Sequence, residues 1–283
     1  MSYIQQEHFN FLANDYIKPY NIKQMKINRP YSELQSIFKI ISILSRIPKS
    51  NLTFGLRYAM NVFLAEIKIF LENKRNLPKA RIYGKKKNLK LHIGCGDNYK
   101  RGWVNIDSGN NCDLSIDLRE KLPFKDNSCK FIHAEHFLEH LEYPEIALSF
   151  LSEAYRVLAP NGSIRLGVPD SQYPLKAYSN KKYKKYFKIA KAKWHPAHCT
   201  TKLEHINFHF RNYYYPAEGF YLNQHKYAYD FETLKKILKK ASFIKISKSS
   251  FNYKLDKKKW KDKFCTLYVT AEKKCSTKAY KRN

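Results

Sequence analysis

The sequence predicts an α/β fold built on a doubly wound, mostly parallel sheet. Between residues 89 and 271, short apolar stretches alternate with amphipathic stretches of helical period. Such alternation is typical of βαβ units, which assemble into parallel sheets. The first apolar stretch ends in the turn Gly94-Cys95-Gly96. A glycine turn after a buried strand is typical of the edge at which open α/β sheets bind ligands.

The predicted elements follow one another along this core. Strands are expected near residues 89–94, 103–107, 113–116, 130–134 and 163–168, with a helix near residues 143–158. A later helix is expected near residues 230–241, with Asp230 as its N-cap, because an aspartate there can accept a hydrogen bond from a backbone N–H of the first turn. Strands near residues 243–248 and 264–271 complete the sheet.

The length of 283 residues predicts one domain with appended segments. Residues 1–84 form an N-terminal extension, with predicted amphipathic helices over residues 31–48 and 54–74 and a basic linker over residues 75–88. Such helices pack on a core or a second subunit, or lie on a membrane surface. The domain itself is expected over residues 85–273 and a basic tail over residues 274–283. The oligomeric state stays open.

Residues 171–229 form a long insert between the fifth predicted strand and the late helix. A connection of this length is uncommon in a compact domain unless it covers a functional site or contains helices of its own. The insert is rich in tyrosine, lysine and histidine. We therefore expect it to recognise the substrate.

The net charge of +29 leaves the partner open. Such a charge attracts nucleic acid, anionic lipid or an anionic substrate. It is also what a lysine-rich composition produces by itself, and specific nucleic-acid sites favour arginine. The lysine- and tyrosine-rich run over residues 178–187 suits single-stranded RNA, an anionic glycan or a solvated helix face. Nucleic acid is therefore a possible partner that the composition does not favour.

The six cysteines include no C-x-x-C pair, which predicts free thiols in a reducing compartment. The first twenty residues do not resemble a signal peptide, and no apolar stretch is long enough for a membrane span. A cytoplasmic location is expected, with peripheral contact at the inner membrane face as an alternative.

The glycine turn and the carboxylate that follows it predict a nucleoside site. Gly94 and Gly96 allow the backbone to approach a ligand, and Asp107 ends the second predicted strand, where it can accept hydrogen bonds from two ribose hydroxyls. A dinucleotide site would need a third glycine where Tyr99 stands and an acid further along the chain. The pattern therefore favours a nucleoside without phosphates.

These motifs resemble class I S-adenosylmethionine (SAM)-dependent methyltransferases, and within them a bacterial group often linked to cell-surface glycan synthesis. The resemblance continues through residues 113–118, 122–132, 135–141 and 153–163. It implies a Rossmann-like sheet with an antiparallel final strand, SAM as cofactor, and a sugar or glycan-precursor hydroxyl as acceptor. The cofactor-binding residues it implies are Gly94, Cys95, Gly96, Asp107, Asp117, Leu118 and Glu135. The sequence departs from the family at His92, where an acidic residue is common, and at Asn98, where a glycine is common.

Methyl transfer to a hydroxyl needs a general base, and histidine fills that role most often. The candidates lie in two places along the chain. His136 follows the fourth predicted strand, together with Glu139 and His140, and His225 precedes the late helix. For His225 the alternative is a hydrogen bond that holds the insert to the core.

A second group of histidines has residue types that could bind zinc. Imidazole and thiolate are preferred zinc ligands, and residues 195–209 contain five of them: His195, His198, Cys199, His205 and His209. Their spacing matches no standard zinc motif, so no metal is assigned and a polar pocket wall is expected.

Two alternatives to a small-molecule or glycan methyltransferase stay open. The charge allows an RNA methyltransferase, and His92 together with the basic surface allows a non-catalytic SAM-binding scaffold.

Overall fold

The computed structural model describes residues 52–108, 111–183, 185–193, 195–212, 224–257 and 266–275. These fall into two compact units, residues 52–68 and the described residues from 69 onwards. The helices are α1 (Phe54–Gly84), α2 (Glu145–Val157), α3 (Gln172–Ser179), α4 (Lys185–Lys193), α5 (Lys202–Arg211) and α6 (Phe231–Lys240). The strands are β1 (Leu89–Ile93), β2 (Val104–Ile106), β3 (Cys129–Glu135), β4 (Leu158–Pro169), β5 (Ile244–Ser249) and β6 (Thr266–Glu272), and Leu138–His140 and Lys181–Tyr183 form short 3-10 helices.

The strands form one six-stranded sheet in the order β2-β1-β3-β4-β6-β5. Strands β1 to β4 are parallel to one another, and β6 runs antiparallel to both β4 and β5. This arrangement confirms the predicted fold class, including the antiparallel final strand.

Two sequence expectations about elements are wrong. The predicted strand at 113–116 is a single bridge between Ile106 and Leu114. Asp113 turns back on β2, where its Oδ2 accepts hydrogen bonds from the backbone and side-chain nitrogens of Asn105 at 2.8 and 3.0 Å. The predicted linker at 75–88 is helical as far as Gly84, because Ala80 packs in the main core. The predicted helix at 31–48 lies outside the described residues.

One face of the sheet is apolar and packs against α2 and α6. Residues of alternate positions along β1, β3 and β4 join a single buried cluster, to which α2 contributes Phe150 and Leu151 and α6 contributes Leu234 and Leu238. The predicted N-cap of α6 is confirmed, since Asp230 Oδ1 accepts a hydrogen bond from the Thr233 backbone nitrogen at 2.8 Å. This packing holds the carboxyl ends of the parallel strands in place. The glycine turn and the insert both begin at these strand ends.

The other face carries a buried polar row, because successive side chains of a strand point to opposite faces. Asn105, His92, His133 and Arg165 are paired across β2, β1, β3 and β4, and all four are buried. His92 Nδ1 bonds to Asn105 Oδ1 at 3.1 Å. Asp256 Oδ1 accepts from His133 Nε2 at 3.1 Å and from Arg165 Nε at 2.8 Å. Hydrogen bonds therefore join the row in two pairs, His92 with Asn105 directly, and His133 with Arg165 through Asp256.

Among the helices of the described residues, none has the length and apolarity to cross a bilayer.

Candidate cofactor and acceptor site

The glycine turn at the end of β1 adopts a conformation that requires glycine. Gly94 and Gly96 have φ angles of +62° and +51°, a region that side chains rarely enter. A Cβ on Gly94 would lie 2.9 Å from Phe137 Cβ, whereas the space beside Gly96 is open. The turn therefore leaves room for a ligand at Gly96.

Asp107 fixes this turn from the end of β2. Its Oδ2 accepts a hydrogen bond from the Gly96 backbone nitrogen at 2.8 Å, and its Oδ1 lies 3.5 Å from Ser108 Oγ. The carboxylate is half-exposed. A carboxylate has about four lone-pair sites, so Asp107 can hold the turn and still accept from ligand hydroxyls. The open turn and this carboxylate fit the nucleoside part of SAM.

Cys95 lies inside the turn with its side chain buried. Burial, together with the nearby Asp107 carboxylate, raises the pKa of the thiol to about 12. The Cys95 backbone nitrogen donates to the Ile106 carbonyl at 3.2 Å. Cys95 therefore contributes to the turn through its backbone, as a link between β1 and β2.

Asp117 and Leu118 follow the bridge at Leu114. Asp117 forms a bidentate ion pair with Arg119, at 2.9 Å from Nε and 2.8 Å from Nη2, and its backbone nitrogen donates to Asn73 Oδ1 at 3.2 Å. Leu118 is buried in the main core. Any contact of Leu118 with a cofactor would therefore come from its backbone.

Glu135 ends β3 and links the glycine turn to strand β6. Its Oε1 accepts from the Tyr268 hydroxyl at 2.5 Å, and its Oε2 accepts from the Lys257 backbone nitrogen at 2.9 Å. The Lys257 ammonium in turn pairs with Asp97 in the glycine turn. Burial, with the charge of Glu135 next in importance, raises the pKa of Tyr268, which keeps the phenol protonated as the donor to Glu135.

A buried carboxylate follows Glu135 by four residues. Glu139 is 1% exposed. Its Oε1 lies 3.2 Å from His136 Nδ1, and its Oε2 has no hydrogen-bond partner. Burial opposes the charge, but His136 and the neighbouring His140 and His225 outweigh it and lower the pKa of Glu139 to about 2. A carboxylate is thus held in the interior of the protein.

Two histidines from distant parts of the chain meet beside Glu139. The rings of His140 and His225 lie 5.2 Å apart. His140 Nδ1 bonds to the Gln224 carbonyl at 3.2 Å, and His225 Nδ1 bonds to the His209 carbonyl at 3.1 Å. Burial lowers the pKa of His225 to about 4. The sequence indicated both places as sources of a base, but the structure brings them into one cluster.

The other predicted catalytic candidate, His136, belongs to the same cluster. Its backbone has a φ of +53°, and its Nε2 bonds to Thr266 Oγ1 at 2.9 Å. With Nδ1 beside Glu139, the imidazole is oriented through both ring nitrogens. Orientation of a base by a carboxylate is a recurrent arrangement in enzyme active sites.

The histidines of the insert do not assemble a ligand set of their own within the described residues. His195 Nδ1 and His205 Nδ1 lie 2.8 Å apart, but no third histidine, cysteine or carboxylate completes a group with them there. His209 turns away to the Tyr186 hydroxyl at 3.0 Å, and Cys199 is buried. These side chains therefore contact one another in pairs.

Comparison with known proteins connects this site to a reaction class. Residues 109–166 match a family model described as a methyltransferase domain, and no curated protein matches the sequence. A SAM-dependent methyltransferase from Archaeoglobus fulgidus is 16% identical, with 75% of this chain and 99% of that chain covered and a TM-score of 0.38. One from Methanosarcina mazei is 14% identical, with 70% and 98% covered and a TM-score of 0.39. A phosphoethanolamine N-methyltransferase 2 from Haemonchus contortus, solved with SAM, is 15% identical, with 71% and 52% covered and a TM-score of 0.35.

The matched domain and the order of the strands define the class of this protein. It is a methyltransferase with a Rossmann-like class I sheet. Its cofactor is SAM, for which the turn at Gly96 and the carboxylate of Asp107 provide a fitting site. The matched model names no acceptor.

Proposed function

We propose that this protein transfers the methyl group of SAM to a hydroxyl of a sugar or glycan precursor, and that residues 171–229 hold this acceptor. The observation that carries the proposal is the closure of this segment on the sheet edge. Asp170 and Tyr229 form a parallel bridge, and the Ser171 backbone nitrogen donates to the Tyr229 carbonyl at 3.1 Å. The insert therefore leaves and returns at the carboxyl end of β4, where α/β sheets bind ligands.

The cofactor half of the site belongs to the core. Gly96, Asp107 and Glu135 lie at the ends of β1, β2 and β3 and would hold SAM. When bound, SAM would supply a methyl group on a positively charged sulfur: the acceptor oxygen would form a bond to the methyl carbon as the carbon–sulfur bond breaks, and S-adenosylhomocysteine would leave. Because the methyl group is already activated, the protein mainly has to align the acceptor.

The acceptor half combines the end of β3 with the insert. His136 and His225 lie beside Glu139, and one of them would take the proton of the acceptor hydroxyl. Helices α3 and α5 add the exposed ring of Tyr178, with the Lys202 ammonium 6.0 Å from its centroid, which together offer a stacking face and a positive charge. This lining, with the resemblance to the glycan-associated group, supports a sugar-like acceptor.

The substitution His225→Asn tests the division into two halves. Asparagine retains an N–H donor toward the His209 carbonyl but removes the Nε2 atom. Because His225 makes no contact with the predicted SAM residues, SAM affinity measured by calorimetry should change by less than about 0.5 kcal/mol. Turnover of labelled SAM with a panel of nucleotide sugars and oligosaccharides should fall roughly 100-fold.

His198→Asn is the matched control, because His198 is an exposed histidine of the same insert. It should leave both SAM affinity and turnover unchanged. If His225→Asn lowered SAM affinity and turnover equally, the assignment of the insert to the acceptor half of the site would be wrong. Methyl transfer to RNA but to no sugar would contradict the proposed acceptor.

A further inference from the structure

Three side chains at the carboxyl edge of the sheet meet in a pattern that suits a metal ion. Glu139, His140 and His225 each offer one ligand atom, and these three atoms lie within 4.8 Å of one another. In a tetrahedral zinc site the N and O ligand atoms lie about 2.0–2.2 Å from the ion and therefore roughly 3.3–3.6 Å from one another. Side-chain rotations that bring the three atoms closer by about 1 Å would place all of them around one ion. Two imidazoles and one carboxylate are the ligands of many catalytic zinc sites and of non-haem iron sites.

Both histidines are held in the form that a ligand needs. The Nδ1 atom of His140 is bonded to the Gln224 carbonyl, and that of His225 to the His209 carbonyl. A carbonyl can only accept, so Nδ1 carries the proton in each ring and Nε2 keeps its lone pair. Metal-binding histidines characteristically donate their second N–H to a carbonyl or carboxylate in this way.

The carboxylate is the strongest sign of a missing partner. Glu139 is 1% exposed, yet its Oε2 has no hydrogen-bond partner, while its Oε1 lies 3.2 Å from His136 Nδ1. Buried polar atoms in native proteins are nearly always hydrogen-bonded, and an exception calls for an explanation such as an ion. A divalent cation would give the unpaired Oε2 atom a partner.

We propose that Glu139, His140 and His225 bind one divalent transition-metal ion, with at least one position left for an external oxygen ligand. This site differs from the histidine group of the insert, from which only His209 takes part, through its backbone carbonyl. With His225 bound to the ion, His136 would be the residue that takes the acceptor proton, and the metal would orient the acceptor hydroxyl and acidify it. That role rests on the proposed function, whereas binding of the ion does not.

The test measures metal binding by the full-length protein, purified without a histidine tag and stripped with a chelator. Zn²⁺ affinity is measured by competition with a chromophoric chelator, and Co²⁺ is used as a spectroscopic probe, because its visible bands report the coordination. We expect one tightly bound ion per chain. We expect His140→Asn, His225→Asn and Glu139→Gln each to weaken Zn²⁺ binding by roughly 100-fold or more and to change the Co²⁺ spectrum, because each removes a direct ligand.

Two controls match these variants. His195→Asn removes one member of the other histidine pair, and Glu120→Gln removes an exposed carboxylate, so both should bind Zn²⁺ like the unsubstituted protein. Thermal unfolding and SAM binding of the stripped proteins check that each variant is folded. Asparagine keeps the donor to the backbone carbonyl, and the three ligand variants test the site independently if one of them does not fold.

The proposal is overturned if the protein binds no Zn²⁺ at micromolar concentrations, or if the ligand variants bind as tightly as the controls. Loss of binding in His195→Asn with retention in His225→Asn would place the ion in the insert instead. None of these measurements uses methyl transfer, so a wrong acceptor assignment and a wrong metal assignment give different results.

Discussion

At the scale of single residues, Asp107 has two tasks. It fixes the glycine turn through the Gly96 backbone nitrogen and, in the proposed site, accepts from the ribose hydroxyls. Asp107→Ala removes both interactions, so SAM should bind about 1–3 kcal/mol more weakly in calorimetry. Asp126→Asn is the control, because Asp126 is an exposed carboxylate in a pair with Arg156 and should leave SAM affinity unchanged. Unaltered SAM binding in Asp107→Ala would exclude this carboxylate from the site.

His92 stands at a position where the sequence departs from the family that it resembles, and its side chain belongs to the buried polar row. Its Nδ1 bonds to Asn105 Oδ1, and its Nε2 accepts from the Lys100 ammonium at 2.8 Å. Burial, with the charges of Lys100 and His133, lowers the pKa of His92 to about 3. The imidazole is therefore a neutral member of the polar row, and its two ring nitrogens bond to Asn105 and Lys100.

This burial predicts acid lability. The folded-state pKa values of His92 and His195 are lowered to about 3 and about 4, chiefly by burial, and that of His133 is also lowered. The unfolded chain therefore binds more protons than the folded one below about pH 6.5. Stability is fully present above that pH and is lost as the pH falls toward 4. Each fully buried histidine should remove roughly 1–2 kcal/mol between pH 6.5 and pH 5.

Urea unfolding at pH 7.5 and at pH 5 measures this effect. His92→Gln retains hydrogen-bonding groups but cannot titrate, so the difference in stability between the two pH values should shrink in this variant. His198→Gln, at an exposed position, should leave the difference unchanged. If His92→Gln and His198→Gln behave alike, His92 is not a source of the acid lability.

At the scale of elements, the N-cap of α6 gives a direct test of helix stability. Asp230→Ala removes the hydrogen bond to the Thr233 backbone nitrogen and the favourable charge at the start of the helix. We expect a loss of about 1 kcal/mol in the free energy of unfolding, measured with urea. Glu232→Gln, an exposed change in the same turn, should cost less. A larger loss in the control would show that the dipole, and not the cap, dominates.

The same scale shows what the sequence could predict. Helices α2 and α6 and strands β1, β3 and β4 follow from apolar periodicity, because the pattern of each element agrees with its burial. The extension of α1 to Gly84 did not follow, since packing of Ala80 outweighed the local signal of Pro78. The bridge at Leu114 was predicted as a strand because an apolar alternation does not reveal the turn that Asp113 makes.

The candidate site also has one part that the sequence could predict and another that it could not. Gly94, Gly96 and Asp107 are close in sequence, so their meeting could be predicted from the spacing of one strand–turn–strand unit. The cluster around Glu139 joins His140 to His225, which is 85 residues further along the chain. Only the return of the insert to the edge of β4 brings the two together, and no local pattern encodes that return.

At the scale of the whole molecule, the net charge of +29 predicts weak, non-specific attraction to RNA. If the lysines reflect composition, fluorescence anisotropy with a generic single-stranded RNA should show binding at 50 mM salt that weakens roughly 100-fold or more by 200 mM salt. A scrambled RNA of equal length should bind equally well. Sequence-selective binding that survives 200 mM salt would contradict this expectation and favour an RNA acceptor.

The bridge between Asp170 and Tyr229 fixes both ends of the insert at one place on the sheet. Its two ends are held side by side, so the core meets the same pair of anchor points whatever lies between them. The entropic free-energy cost of closing such a segment rises by only about 0.6 kcal/mol for each doubling of its length. Under the proposed function, exchanging this segment for a longer, shorter or unrelated one between the same anchors would change the acceptor in a single step and leave the half that binds the methyl donor intact.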